Sequence, residues 1–200
     1  QGSTAIGVVC KDGVILVADK RVADKLIVAD AVEKIFQVDK HIVATATGYI
    51  MDGRILIERA QLIAQQHQVT YAVPIDTVTL VKEICDIKQS YTQYGGARPF
   101  GGSILFIGGD DATPVLYATE PTGIYFEYKA TALGEGADAV REILYKEYHD
   151  DIVMDDAIKL AIRALKRVLG KDFDPRRIDG AYVGLDAKTY LPIDKKKFRI

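Results

Sequence analysis

The sequence predicts an α+β fold, a four-layer αββα sandwich of two antiparallel sheets between helix layers. Three observations carry this. Strand-like and helix-like stretches come in blocks, as strands, two helices, strands, two helices and strands, and blocks argue against a doubly wound parallel sheet. The strand runs are nearly continuously apolar, which implies burial on both faces. The chain has 200 residues, 48% hydrophobic and 27% charged, enough to close one substantial core, so residues 1–200 are expected to form a single domain.

Taken in order, TAIGVVC (Thr4 to Cys10) and VILVAD (Val14 to Asp19) flank Lys11-Asp12-Gly13 and read as a hairpin, the Asp-Gly pair supplying the turn. KIFQV (Lys34 to Val38) and IVATATG (Ile42 to Gly48) flank Asp39-Lys40-His41 and read as a second. The period then becomes helical. Leu56, Ala60, Ile63 and Ala64 share one face, and Val78, Val81, Ile84, Cys85 and Lys88 define another after the break at Pro74. SILFIGG (Ser103 to Gly109), PVLYAT (Pro114 to Thr119) and IYFEYKATALG (Ile124 to Gly134) read as three strands, with turns at Asp110-Asp111 and Pro121-Thr122-Gly123. Val140, Ile143, Leu144 and Tyr148 form a third helical stripe. Ile158, Ala161, Ile162, Leu165, Val168 and Leu169 form a fourth, with Asp155 as candidate N-cap. AYVGL (Ala181 to Leu185) and TYLPI (Thr189 to Ile193) return to strand.

Composition narrows the function. A formal net charge of −2 offers no basic field for nucleic acid or an anionic membrane, and no apolar run is long enough to span a bilayer. Partners are therefore expected to be proteins. Cys10 and Cys85 sit in apolar surroundings without CxxC or Cys/His spacing, so both are expected buried and reduced, with no metal and no cofactor. His41, His67 and His149 are scattered at no ligand spacing. The acids Glu147, Asp150, Asp151, Asp155 and Asp156 read as a solvated loop and helix start rather than a cation site, and the basic tail Lys195-Lys196-Lys197-Phe198-Arg199 as exposed. GGSILFIGGDD lacks the Lys-Ser/Thr of a phosphate loop.

The segment YTQYGGARPFGGS, Tyr91 to Ser103, is over-equipped for a connector. Gly95 and Gly96 suit a helix C-terminus, and Pro99 prevents continuation. That much is helix-ending chemistry.

GSTAIGV, KDGVILVADKR, VEKIFQVD, ATATGYIMDGR, YTQYGGARPFG and EPTGIYFEYKATALG, in this order and spacing, resemble the α-type subunits of the archaeal proteasome core particle, over essentially all 200 residues. The resemblance implies the αββα fold of N-terminal nucleophile hydrolases. It also locates the place where such a hydrolase would do chemistry. Those enzymes attack with the hydroxyl of the first residue, activated by its own free α-amine. The position equivalent to the β-type nucleophile is Ser3, four before Gly7, and Ser3 follows Gln1 and Gly2, so its nitrogen is acylated and supplies no local base. Lys34 matches the lysine that assists β-type catalysis and Asp19 an acidic partner, while the supporting serine and aspartate are replaced by Glu135 and by Lys171 and Asp174. A non-catalytic subunit is the expectation.

The α-type resemblance implies a homo-heptameric outer ring that caps rings of β-type subunits, controls the passage of unfolded polypeptide substrates and receives the C-terminal tails of ATPase activators, in the cytoplasm. Carried over residue by residue, Lys34 pairs with the terminal carboxylate of an activator tail in a pocket between subunits, a charge-assisted contact. Gly48 lies beside it and admits the tail backbone. The plainer alternative pairs Lys34 with Glu33 or Asp19 and makes Gly48 a strand-to-helix turn. Tyr94, Gly95, Gly96, Arg98 and Pro99 fall on the pore rim, where Tyr94 matches the tyrosine that supports an open gate. The sequence starts at Gln1 where the family's gate segment and first helix would end, so both are expected to be absent. Two other readings stay open: a hydrolase matured by processing to Ser3 or Thr4, and a stand-alone sandwich binding small ligands.

Overall fold

The computed structural model describes residues 2–22, 24, 26–28, 31–185 and 189–199; Gln1 lies outside them. Strands β1 (Ala5–Cys10) and β2 (Gly13–Asp19) pair antiparallel, Ala5 opposite Ala18 through Cys10 opposite Gly13. Strands β3 (Phe36–Asp39) and β4 (Ile42–Gly48) form the second hairpin. Helices α1 (Ile50–Tyr71) and α2 (Thr77–Gln93) follow, separated by Ala72 in the left-handed conformation and by Pro74. Next come β5 (Gly102–Asp110), β6 (Thr113–Thr119), β7 (Tyr125–Glu127) and β8 (Ala130–Leu133), then α3 (Ala137–Glu147) and α4 (Met154–Leu169), and last β9 (Ile178–Gly184) and β10 (Leu191–Pro192).

One sheet has the order β10-β9-β2-β1-β8 and the other β3-β4-β5-β6-β7, every pairing antiparallel. Their inner faces meet through Val14, Leu16, Val43, Leu105, Ile107, Leu116 and Val183. Helices α3 and α4 cover the outer face of the first sheet, where Ile6, Val8, Ile15 and Val17 meet Ile158, Ala161 and Leu165. Helices α1 and α2 cover the second, where Ala44, Ile104 and Phe106 meet Leu56, Ala60, Ile84 and Cys85. These are the four predicted layers, and β1, β2 and β4 are buried on both faces because each lies between a helix layer and the opposite sheet, whereas the edge strand β3 is not: Gln37 is exposed and only Val38 is buried.

Several local expectations are corrected. The run Ile124 to Gly134 is two strands: β7 pairs with β6 in one sheet and β8 with β1 in the other. The chain crosses between them at Tyr128 and Lys129, whose N–H and C=O bond to Leu116 O and from Val9 N at 2.8 Å each. On α2, Leu80 rather than Val78 is buried. Asp155 does not cap α4: Val153 holds that position, and Asp12, in the turn of the first hairpin, accepts from Met154 N at 2.8 Å. In the basic tail the lysines are exposed, but Phe198 is fully buried among the first sheet's residues. Cys10 and Cys85 are free and buried, and burial pushes their thiols up to about 12 and about 11.

Candidate functional site

Two neighbourhoods hold the predicted residues. The first is a polar cleft of about 140 Å³ at the head of β1, lined by Ser3, Thr4, Asp19, Arg21, Glu135 and Arg177 among others. Ser3 is 8% exposed, and Thr4 Oγ1 donates to the Glu135 carbonyl, while Glu135 N donates to Gly2 O at 2.8 Å. The start of the chain is thus sewn to the loop before α3. Asp19, at the end of β2, does not face Ser3 as a free carboxylate. Arg177 grips it in a two-point contact, Nε to Oδ1 at 3.0 Å and Nη2 to Oδ2 at 2.8 Å, and Arg21 N adds a third donor at 3.1 Å. Arg21 in turn donates to Glu135 Oε2 at 2.6 Å across the mouth of the cleft. Asp174 caps the 3₁₀ turn that delivers Arg177 and holds the Arg176 guanidinium.

Arg177 is the residue that sequence reasoning missed here. The arginine pair in PRRIDG carries no motif, and nothing in it marks Arg177 over Arg176. The role of Arg177 appears only because β9 pairs with β2, setting Ile178 opposite Asp19.

The second neighbourhood is the corner where β4 ends and α1 begins. Lys34 is half-buried and donates from Nζ to Ala46 O at 2.7 Å, and its own carbonyl accepts from Thr45 Oγ1 at 2.7 Å. Neither Glu33 nor Asp19 pairs with it among the described ion pairs, so the plainer alternative does not hold for Lys34 as a salt bridge. Burial lowers its pKa, and the charge of nearby Asp19 works in the opposite direction. Gly48 follows two residues after Ala46 with a φ of 103°, and a Cβ there would meet Gly101 O at 2.3 Å. Glycine is required on both counts.

Tyr94 closes α2 in an extended conformation and is 69% exposed, and Ala97 N donates back to Tyr94 O at 3.2 Å. Gly96 has a positive φ of 83°, but Gly95 does not, so the expected pair of left-handed glycines is a single one. Gly95, Gly96, Arg98 and Pro99 are exposed. Arg98 ties this turn to the Gly48 corner: it donates to Asp52 Oδ1 and Oδ2 at 2.8 and 2.7 Å and stacks over the Tyr49 ring at 5.5 Å. Asp52 also accepts from Gly101 N at 2.7 Å, and Tyr49 N donates to Gly101 O at 3.0 Å. The Arg98 hydrogen bond, then the Gly101 amide, hold the Asp52 carboxyl below the usual carboxylate range against the opposing effect of burial.

The structure therefore brings Gly48 and the turn from Tyr94 to Pro99 together, with Lys34 reaching the same strand end. Tyr49 and Asp52 were missed. A usable signal existed: α1 has no side-chain N-cap, and Asp52 is the acid of its first turn, where the helix dipole favours a carboxylate.

The remaining candidates take ordinary places. His41 Nε2 lies 2.9 Å from Ile75 O, and His67 Nδ1 lies 3.1 Å from Val73 O. Glu147, Asp150, Asp155 and Asp156 each bind a different cation, Arg163, Lys129, Lys197 and Lys159.

Residues 1–183 match the profile of a protein family described as "Proteasome subunit". The chain is 48% identical to the "Proteasome subunit alpha" of Archaeoglobus fulgidus, an alignment covering 100% of this chain and 80% of that protein. It is 49% identical to the protein of the same name from Methanocaldococcus jannaschii, over 98% of this chain and 76% of that one. With the "Proteasome subunit alpha" of Thermococcus gammatolerans the identity is 47%, over 98% of this chain and 75% of that one.

Proposed function

The chain belongs to the proteasome subunit family, with α-type similarity along its length, and from that premise we propose that it is a non-catalytic α-type subunit of the outer ring, serving intracellular protein degradation. The observation that carries the non-catalytic part is the acylated nitrogen of Ser3, and the grip of Arg177 on Asp19 supports it. An N-terminal nucleophile needs a free amine and an uncommitted polar neighbourhood. Here Ser3 is acylated by Gly2, and Asp19, in the same cleft, has both oxygens occupied by a guanidinium. The cleft serves as a structural clamp on the start of β1.

In this reading residues 1–200 are one proteasome-type domain, and copies of it form a heptameric ring stacked on β-type rings in the cytoplasm. Among the described residues no helix is long and apolar enough to cross a membrane. Lys34 and Gly48 form the floor of the pocket for an activator tail. The half-buried ammonium supports this, since a carboxylate arriving there would replace the Ala46 carbonyl as its partner with a charge-assisted bond. The turn from Tyr94 to Pro99 supports the pore rim, and unfolded polypeptides pass through.

The test is co-assembly with a β-type partner, with peptide hydrolysis measured with and without an activator tail peptide. Lys34→Ala is expected to abolish tail stimulation and leave assembly and unstimulated hydrolysis intact. Unchanged stimulation would remove Lys34 from the pocket.

A further inference from the structure

Helix α2 carries a lysine where its apolar face should be closed. Lys88 is 0% exposed, yet among the described residues no carboxylate forms an ion pair with it. Its Nζ donates instead to Gly102 O at 2.9 Å, Thr119 Oγ1 at 2.9 Å and Glu120 O at 3.1 Å. Three protons meet three neutral oxygens. The first acceptor lies where the rim turn enters β5, and the other two lie where β6 ends and the chain turns toward β7. That second corner is pressed on α2, since a Cβ on Gly123 would meet Cys85 O at 2.6 Å.

A buried ammonium costs free energy that an apolar side chain would not, so its retention calls for a role in positioning. We propose that Lys88 is the positioning residue of the rim turn: it pins the base of the turn to the β6–β7 corner, and loosening of the turn is coupled to the proton on this amine. The coupling has a definite sign. Burial lowers the Lys88 pKa to about 8, against the opposing pull of Cys85 on the same helix and Glu120 at the end of β6. Water reaching the amine on loosening restores its ordinary affinity for a proton, so loosening takes up a proton above pH 8 and becomes harder as pH rises. The neutral amine also remains satisfied. Thr119 Oγ1 already accepts from Ile104 N at 3.1 Å, and its hydroxyl proton, directed at Ile104 O over a long 3.4 Å, can turn to the amine lone pair.

The relevance of this anchor to a pore rests on the α-type reading above, but amide exchange of the isolated chain measures it independently of that reading. The probes are the Ala97 and Gly101 amides, hydrogen-bonded within and beneath the turn, with Leu105 to Ile107 of β5 as reference. After correction for intrinsic rates, wild-type protection of the turn relative to β5 is expected to be flat from pH 7 to 8 and then to rise by about tenfold per pH unit toward pH 9.5, the slope of one coupled proton. In Lys88→Met the turn is expected to lose roughly tenfold or more in protection at neutral pH, because Gly102 O, Thr119 Oγ1 and Glu120 O each lose a charged donor, and to show no slope. Equal loss in the turn and in β5, or no loss in either, overturns the proposal. A wild-type profile that stays flat to pH 9.5 also overturns it, and that measurement needs no variant to fold.

Discussion

Replacing Arg177 by methionine isolates the clamp on Asp19. The variant keeps a long apolar stem but leaves a carboxylate that is 2% exposed with only the Arg21 amide, at 3.1 Å, from its three donors. Breaking a buried ion pair by removing one partner costs about 3–5 kcal/mol. The guanidinium is itself 22% exposed and one donor survives, so the lower end applies, about 3 kcal/mol. In a domain of this size each kcal/mol moves Tm by roughly 2–4 °C, giving an expected fall of about 6–12 °C by calorimetry. Adding Asp19→Asn should recover much of the loss, since the stranded charge is then gone. The catalytic side of the argument has its own readout. Freeing Asp19 supplies no amine to Ser3, so Arg177→Met is expected to hydrolyse no peptide. A Tm within 2 °C of wild type (roughly the effect of less than 1 kcal/mol) would refute the clamp, and peptidase activity in the variant would refute the claim that the acylated Ser3 is inert.

Asp52→Asn should loosen the joint between Gly48 and the rim by about 2 kcal/mol, since a charged acceptor is lost but its Arg98 partner is largely exposed. The sign with pH follows from the lowered Asp52 pKa: its contribution is full above 3.8, the usual value for an aspartate, and fades as pH falls through the lowered one. The wild-type and variant stability curves, from urea titrations, are therefore expected to run parallel above pH 5 and to converge in acid; a constant gap down to pH 2 would sink the reasoning. Phe198→Ala should cost about 3–5 kcal/mol, read as a lower urea midpoint at unchanged slope, because the ring is fully enclosed against Gly180 and Ile193.

The layers were legible because their signals are local. Two hairpins and four apolar stripes at helical spacing survive in any reading of the chain, and the continuous apolar strands already imply a neighbour on each face. The split of Ile124 to Gly134 was not legible. Both halves have strand composition, and the change of sheet between Tyr128 and Lys129 depends on which partner, β6 or β1, each half finds. Phe198 was lost for a related reason: three lysines precede it, and charge dominates a short window, although the 3₁₀ turn over Lys195–Phe198 turns the ring inward while the lysines stay in water. Arg98 and Pro99 could be placed in the turn after α2 from sequence. That Arg98 reaches back to Asp52, 46 residues earlier, could not.

Both neighbourhoods turn on an arginine that commits an aspartate, and the two cases differ in what the pairing leaves available. At Asp19 the guanidinium is mostly buried and the carboxylate fully so, which converts a cleft with room for chemistry into a fixed joint between β2 and the chain that leads into β9. At Asp52 the acid is buried but Arg98 stands in solvent with Tyr94 and Tyr49 exposed nearby in the sequence and fold. An exposed cation stacked on an exposed ring is held in place and still open to a partner, whereas the Arg177 pair has little left to offer one. The proposal of a docking corner therefore draws on the exposed Arg98–Tyr49 pair beside the end of β4, the strand whose Ala46 carbonyl Lys34 holds, and not on the closed pair at the head of β1.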